Sequence, residues 1–326
     1  MQGKVPSQQS VTTRVYIGID VCKARLDVYI HPVGERLTLA NDTAGLKQLK
    51  KAIARCDVAL VVMEATGKFH RLAHRNLHAS GFKVAIINPL RSRRFAEAVG
   101  TFAKTDRVDA RMLALMGESL KPGALEPRPE LMETLQELAR GRETAVDLRT
   151  AIVNQIAVSN SKVLVRELKR QQSVVETAID NLEAELERQI EADPVLARRF
   201  EILTSIPGIG LVAAVTLIVE LNEIGRLSSK QAAMIVGLAP IACDSGQKTG
   251  RREIRGGRKH LRTALYMPAN SAMQHNPDLK IFYDRLIEAG KLAKVAITAV
   301  MRKLVILANT LVRDDRLWQP KCVIAK

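Results

Sequence analysis

The sequence predicts an α/β plus α chain: a mixed strand-and-helix module first, then a largely helical remainder. Three observations carry this. Apolar strand runs alternate with amphipathic helical stretches up to about residue 119. Pro122, Pro127 and Pro129 then interrupt the pattern as a linker. Beyond them helical spacing prevails. With 326 residues the chain has room for two or three modules. Its 47% hydrophobic and 26% charged residues mark it as folded, not disordered.

In the first module Val15, Ile17 and Ile19 alternate with Tyr16 and Gly18, and Leu26, Val28 and Ile30 alternate again, giving two strands and a short turn. ERLTLA fits a third strand. Ala44 to Arg55 has helical spacing through Leu46, Leu49 and Ile53. VALVVME is a continuous apolar run, as in a strand buried on both faces. Lys68 to Ser80 is helical, KVAIIN is a further buried strand, and Asn88-Pro89 stops it. Helices over Leu90 to Val99 and Thr105 to Ser119 follow. The order is mixed α/β and not a plain βα repeat.

From Glu130 to about Leu168 there is no Pro and a single Gly, with Leu131, Leu135, Leu138, Ala145, Ile152 and Ile156 in imperfect 3–4 spacing. Val175, Ile179, Leu182, Leu186 and Ile190 fit that spacing better. The pattern predicts a long helical hairpin or coiled coil, and with it self-association. A plain helix pair without a partner is the alternative. Asp193-Pro194 reads as an N-cap with Pro at the first helical position. LTSIPGIGLVAAVTLIVEL joins two helical runs through a Gly-rich turn. Ser228 or Ser229 caps KQAAMIVGL. APIACDSGQKTGRREIRGG is a polar, basic loop with room for a β-hairpin. Helices over Lys259 to Ala272, Pro277 to Ala289 and Lys291 to Val312 close the chain, and no internal repeat is visible.

Fifty Lys and Arg against 34 Asp and Glu leave a net charge of +16, which predicts a polyanionic partner, foremost nucleic acid. Candidate phosphate contacts are Arg91, Arg93, Arg94, Lys104, Lys248, Arg251, Arg252, Arg255, Arg258 and Lys259. Aromatics are only 3%, so base stacking cannot dominate the grip. Cys22, Cys56, Cys243 and Cys322 stand far apart without a CxxC pair, which excludes a zinc finger or disulfide framework and leaves a reducing cytoplasm as the expected compartment. The first 13 residues lack an apolar run and read as a mobile tail, not a signal peptide. The apolar stretch Val295 to Leu311 is broken by Arg302 and Lys303, against a membrane span.

Four acids stand out. Asp20 ends the first strand and Glu64 ends the central one; Asp106 and Asp109, at i and i+3 in KTDRVDARML, share one helical face. Carboxylates converging in a dry site repel each other unless cations neutralise them, and hard oxygen ligands point to Mg²⁺ or Mn²⁺. Two such ions roughly 3.5–4 Å apart can stabilise both oxygens of a phosphodiester exchange. Taken singly, each acid favours a plainer reading: a turn former or helix cap at a strand end, a first-turn acid complementing the helix dipole for Asp106, a partner of Arg107 or Arg111 for Asp109. Their order within one α/β module raises the metal reading. IPGIG resembles a helix-hairpin-helix turn in which Gly208 and Gly210 let backbone N–H groups hold a phosphate; a tight turn between core helices is the plainer alternative. Ser245, Gly-flanked among cations, suits attack on a phosphate. Cys243 is a rival nucleophile, though Ile241 and Ala242 make it a packing residue. His70, His74 and His78 recur every four residues beside Arg71 and Arg75, which favours a wet basic helix face over a metal site. His260 and His275 are isolated.

Together YIGIDVCK, EATG, KTDRVDARML, IPGIG and RGGRKHLRTALYMPA resemble the DEDD transposases of insertion sequences, relatives of the Piv/MooV DNA invertases, some of them guided by a bridge RNA. The resemblance runs in order over roughly Arg14 to Val312. It implies a RuvC-like, ribonuclease-H-type catalytic domain over 14–121, a coiled-coil dimerisation region over 122–193 and a C-terminal transposase domain with a serine loop over 194–314, between tails at 1–13 and 315–326. The family tetrad maps onto Asp20, Glu64, Asp106 and Asp109, all metal ligands, and its serine nucleophile onto Ser245. It further implies DNA and a guide RNA as partners, a homodimer assembling into a synaptic tetramer, and a nucleoid-associated life in the cytoplasm. REIRGGRKH resembles the subgroup whose guide RNA is encoded downstream. Three rivals remain. IGIDVCKARLDV is similar to the phosphate loop of actin-like ATPases, but Cys22-Lys23 replaces its small turn. A non-catalytic binder would not need the ordered acids. A Holliday-junction nuclease using metal-activated water would need the tetrad but not Ser245.

Overall fold

The computed structural model describes residues 14–65, 67–101, 106–242, 244, 250 and 252–320, excepting the side chains of Asp106 and Arg107. The expected N-terminal tail and the end of the C-terminal one lie outside that set. The chain divides at Arg128/Pro129 into two compact units.

The first unit opens with a meander of β1 (Arg14–Val21), β2 (Arg25–His31) and β3 (Glu35–Ala40). Helix α1 (Thr43–Ile53), N-capped by Asp42 at 2.8 Å from the Gly45 N–H, leads to β4 (Asp57–Glu64). Then follow α2 (His70–Ala79), β5 (Val84–Ile87), α3 (Pro89–Ala98) and α4 (Asp106–Leu120). The five strands form one mixed sheet in the order β3-β2-β1-β4-β5, with β1, β4 and β5 parallel and β2 antiparallel to both of its neighbours.

The two-residue side-chain period of a strand sorts the apolar residues onto two faces. Ile17, Ile19, Val61 and Met63 pack with Leu46, Leu49 and Ile53 of α1 and Ala73 and Leu77 of α2. Leu60, Val62, Ala85 and Ile87 face the other way, against Leu113 and Met116 of α4. Strand β4 is thus covered on both faces, which is why VALVVME has no polar alternation.

The second unit is helical. The hairpin α5 (Glu130–Val158) and α6 (Lys162–Glu191) turns at residues 159–161, earlier than the sequence spacing suggested, because Ser161 caps α6 through the Leu164 N–H. At its base Met132, Leu135, Leu186 and Ile190 join the core of the helices that follow. Towards its tip Leu148, Val153, Val158, Val163, Leu164 and Val174 are exposed. Asp193 caps α7 (Pro194–Thr204), accepting from the Val195 and Leu196 N–H groups at 2.9 and 3.0 Å. Helix α8 (Leu211–Glu220) is buried from Ala213 to Val219. Ser228 and Gln231 form a capping box on α9 (Ser229–Val236).

The two-residue strands β6 (Pro240–Ile241) and β7 (Glu253–Ile254) pair antiparallel. The stretch expected as one helix over Lys259 to Ala272 is two, α10 (Lys259–Ala264) and α11 (Tyr266–His275). The reason is Pro268, which has no N–H for the carbonyl of Ala264 and whose ring crowds it. Helices α12 (Pro277–Glu288) and α13 (Ala293–Arg313) end the fold. Helix α13 has the length and apolar character of a membrane span, but its Ala296, Val300, Leu304, Val305, Ala308 and Leu311 are buried in the unit's core.

Candidate functional site

Parallel pairing brings the ends of β1 and β4 to one edge of the sheet. Ile19 is in register with Met63, so the next residues, Asp20 and Glu64, are neighbours there. By alternation both belong to the face that α4 covers. The placement of α4 follows from two glycines. A Cβ on Gly18 would lie 2.0 Å from the Ala110 carbonyl oxygen and 2.5 Å from the Ala114 nitrogen, so helix backbone rests directly on β1. One to two turns later, a Cβ on Gly117 would meet Val62 Cγ2 at 2.9 Å and Tyr16 Cδ1 at 3.5 Å. The helix therefore runs against the direction of β1, and its N-terminal turn comes over the edge where Asp20 and Glu64 end.

Asp109, in that turn, lines with Glu64 a cleft of about 130 Å³, together with Ser92 and Arg93 of α3. Ser92 Oγ donates to Glu64 Oε2 at 2.6 Å, across 28 residues of sequence. Asp106 begins α4, but its side chain and all of Lys104 lie outside the described residues. Among the described residues no three acidic, His or Cys side chains close to ligand distances. Glu64 and Asp109 thus share a cleft, with Asp20 on the adjacent strand. Their donors are all carboxylate oxygens, which suit a hard divalent cation and not a soft one.

Asp27 was not marked by the sequence. It sits directly opposite Asp20 in the β1–β2 register and is 7% exposed. Arg25 Nε donates to one of its oxygens at 2.7 Å and Thr38 Oγ1 to the other at 2.9 Å, so it is pinned. Asn41 Nδ2 donates to the carbonyls of Cys22 at 2.9 Å and Phe69 at 3.1 Å, tying the β1–β2 turn to the segment before α2. His74 corrects the expectation of a wet histidine face: it is 6% exposed, with Nε2 at 2.8 Å from the Leu125 carbonyl oxygen. His74 packs because Ala73 and Leu77 flank it on the sheet side of α2, whereas His78 is exposed.

In the second unit Ile206 and Ile209 of IPGIG are buried, and Gly208 has φ +105° with Ala272 backbone 2.6 Å from where a Cβ would stand. Gly208 is therefore required by packing against α11. Gly210 is the exposed N-cap of α8 and has open space around it, leaving that helix N-terminus accessible.

The β6–β7 pair closes the base of the basic loop in the register Pro240 to Ile254 and Ile241 to Glu253. Asp244 Oδ1 accepts from the Gly250 N–H at 3.0 Å. Ser245, Cys243, Lys248 and Arg251 lie outside the described residues. Beyond the loop, a Cβ on Gly257 would lie 2.3 Å from the Gly237 nitrogen, so these glycines stack where α9 ends. Arg258 donates to both carboxylate oxygens of Glu223, at 2.8 and 2.6 Å, and to the Glu220 carbonyl at 2.6 Å. The hydrogen bonds to Glu223 hold its pKa above the ordinary guanidinium value. Arg258 is committed to this fastening. Arg91, Arg94, Arg252, Arg255 and Lys259 are exposed, and Arg93 pairs with Glu97 at 3.0 Å.

Comparison with known proteins first defines the class. Residues 17–159 match a family described as a transposase of the DEDD type, and residues 200–284 match the transposase IS116/IS110/IS902 family. The chain is a transposase, a DNA-cleaving and rejoining enzyme. It is 28% identical over 329 residues to the pilin gene-inverting protein of Moraxella bovis, covering 93% of this chain and 97% of that one. The pilin gene-inverting protein of Moraxella lacunata matches to the same extent. The transposase for insertion sequence element IS1111A of Coxiella burnetii is 24% identical over 262 residues, 70% of each chain. The chain belongs to the IS110 family of DEDD transposases, related to the pilin gene invertases. It acts on DNA, and its family works with a divalent metal.

Proposed function

We propose that this transposase cuts and rejoins the ends of an insertion sequence with Mg²⁺ or Mn²⁺ held by Asp20, Glu64, Asp106 and Asp109, and with Ser245 as nucleophile. The observation that carries the proposal is the cleft shared by Glu64 and Asp109 at the sheet edge where Asp20 ends. The strand order supports a RuvC-like, ribonuclease-H-type reading of residues 14–121. Asp20, Glu64, Asp106 and Asp109 would hold the cation, which when bound would supply the positive charge that polarises a scissile phosphate. Ser245 Oγ would attack phosphorus and give up its hydroxyl proton to solvent, one P–O ester bond forming as another breaks, and the displaced sugar oxygen would take up a proton from solvent in its place. The phosphoserine diester keeps the bond energy for rejoining, so no nucleotide cofactor is required. Asp244, anchored on Gly250, holds the start of the serine loop.

The exposed apolar residues on the outer half of the α5–α6 hairpin support self-association through residues 122–193. They fit a dimer that pairs again into a tetramer, with the tetrad of one subunit serving the serine of another. The exposed cations on α3 and around the serine loop of the 194–314 domain would contact phosphates, and the amides at Gly210 a further one. With 3% aromatics, sequence choice falls to a bridge RNA paired with DNA in the cytoplasm.

The test is denaturing electrophoresis of end-labelled DNA, with and without protease, for the native protein, Ser245→Ala and Cys243→Ala. A protease-sensitive DNA-linked band that is lost in Ser245→Ala alone supports the proposal. Loss in Cys243→Ala alone moves the nucleophile to the thiol. Free nicks in every protein favour metal-activated water and a junction nuclease. Site-specific recombination without the element's own non-coding RNA sinks the guide.

A further inference from the structure

We infer that Ser92 is a positioning residue for Glu64, holding one carboxylate oxygen so that the other is presented to a divalent cation; this rests on the metal reading of Glu64 given above. The placement is built by the fold. Ile87, the last residue of β5, is in register with Glu64. Asn88 then caps α3 through the Leu90 N–H at 2.9 Å, and Pro89 starts the helix at once. Ser92 is in that first turn, which returns its side chain to the end of β4. Its Oγ lies 2.6 Å from Glu64 Oε2, a charge-assisted hydrogen bond. Among the described residues Glu64 Oε1 has no hydrogen-bond partner, and both side chains line the cleft with Asp109.

A glutamate needs such a strap more than an aspartate does. It has one more rotatable bond, and fixing a long polar side chain costs up to about 1.5–2 kcal/mol of rotamer entropy. A partner that fixes a ligand's orientation typically changes metal affinity about 10–100-fold. The competing role for Ser92 is local. Its Oγ is also 3.0 Å from the Pro89 carbonyl oxygen, the back-bond that serines make in helices. One hydroxyl has one proton, and the shorter contact to a charged acceptor claims it.

The experiment titrates the full chain with Mn²⁺ in the absence of DNA, reading free Mn²⁺ by electron paramagnetic resonance. The variants are Ser92→Ala, Ser92→Thr, Ser92→Val and Glu64→Gln. Thr and Val are isosteric and differ only in the hydroxyl, so they carry the comparison even if Ser92→Ala melts early. Expected are native-like affinity for Ser92→Thr, a loss of about ten-fold for Ser92→Val and Ser92→Ala, and a larger loss for Glu64→Gln. The Mn²⁺ concentration for half-maximal DNA cleavage should rise by the same factor in Ser92→Val. Equal affinities for Thr and Val, with Glu64→Gln still weakened, overturn the positioning role and leave the metal reading intact. Unchanged affinity in Glu64→Gln overturns both.

Discussion

Replacing Gly18 by alanine should separate the acids without touching any of them. The new methyl carbon would stand 2.0 Å from the Ala110 carbonyl oxygen and 2.5 Å from the Ala114 nitrogen. Both are backbone atoms of a helix, so no side-chain rotation relieves the contact. Restoring an ordinary separation of about 3.5 Å moves α4 outward by about 1–1.5 Å. Leu113 and Met116 then loosen from Leu60, Val62 and Ile87. An overpacked site of this kind costs about 3 kcal/mol, or about 10 °C in melting temperature. Asp109 adjoins Ala110 and moves with it, and on the metal-binding role proposed for it a displacement of about 1 Å should cost about 100-fold in rate. Gly117→Ala is the control, because its contacts are the Val62 and Tyr16 side chains, which can yield. Circular-dichroism melts and a DNA-cleavage time course measure both effects. If Gly18→Ala melts with the native protein and cleaves at its rate, α4 does not key on that glycine and Asp109 is not held over the sheet edge by it.

Asp109→Asn should abolish strand cleavage and leave the melting curve native or slightly raised; cleavage within a few-fold of native removes Asp109 from the tetrad. Gly208→Ala should destabilise the protein by more than about 2 kcal/mol, through the positive φ and the Ala272 contact together, whereas Gly210→Ala should fold normally. Equal melts for the two would show that IPGIG is not held by packing. Arg258→Lys should lose nearly as much stability as Arg258→Ala, about 1–2 kcal/mol in a chemical denaturation, because a single ammonium cannot span both Glu223 oxygens. Glu185 has its pKa lowered to about 2 by hydrogen bonds from Arg188 and Gln189. Its contribution to α6 should therefore persist as pH falls below the ordinary carboxylate value and be lost only through about pH 2. A carboxyl-carbon NMR titration with a midpoint near 4.5 would refute that pairing.

The strands of the first unit were legible because burial on one or both faces writes itself into alternation or continuous apolarity. The same holds for Asp193-Pro194, where cap and helix start are adjacent in sequence. The hairpin turn was misplaced because the apolar period falters on both sides of it, and only the polar trio Ser159-Asn160-Ser161 marks it. The break at Leu265 was readable from Pro268, whose effect falls four residues upstream of the proline itself. Of the candidate site, Asp20, Glu64 and Asp109 stand out in the sequence by their position at strand and helix ends, and the structure places Glu64 and Asp109 on one cleft. Ser92, Asp27 and Asn41 do not stand out, since their partners are set by register and helix placement and not by spacing. Arg258 looked like one cation among many because Glu223 is 35 residues away.

The clasp of β6 on β7, with the stacked Gly237 and Gly257 behind it, fixes both ends of the segment between Ile241 and Glu253. Lengthening a closed loop adds only about 0.6 kcal/mol per doubling. Insertions or deletions between those ends leave the helices that carry the clasp as they are. Sequence change between Ile241 and Glu253 is thereby uncoupled from the stability of the helical core, and the two can vary independently.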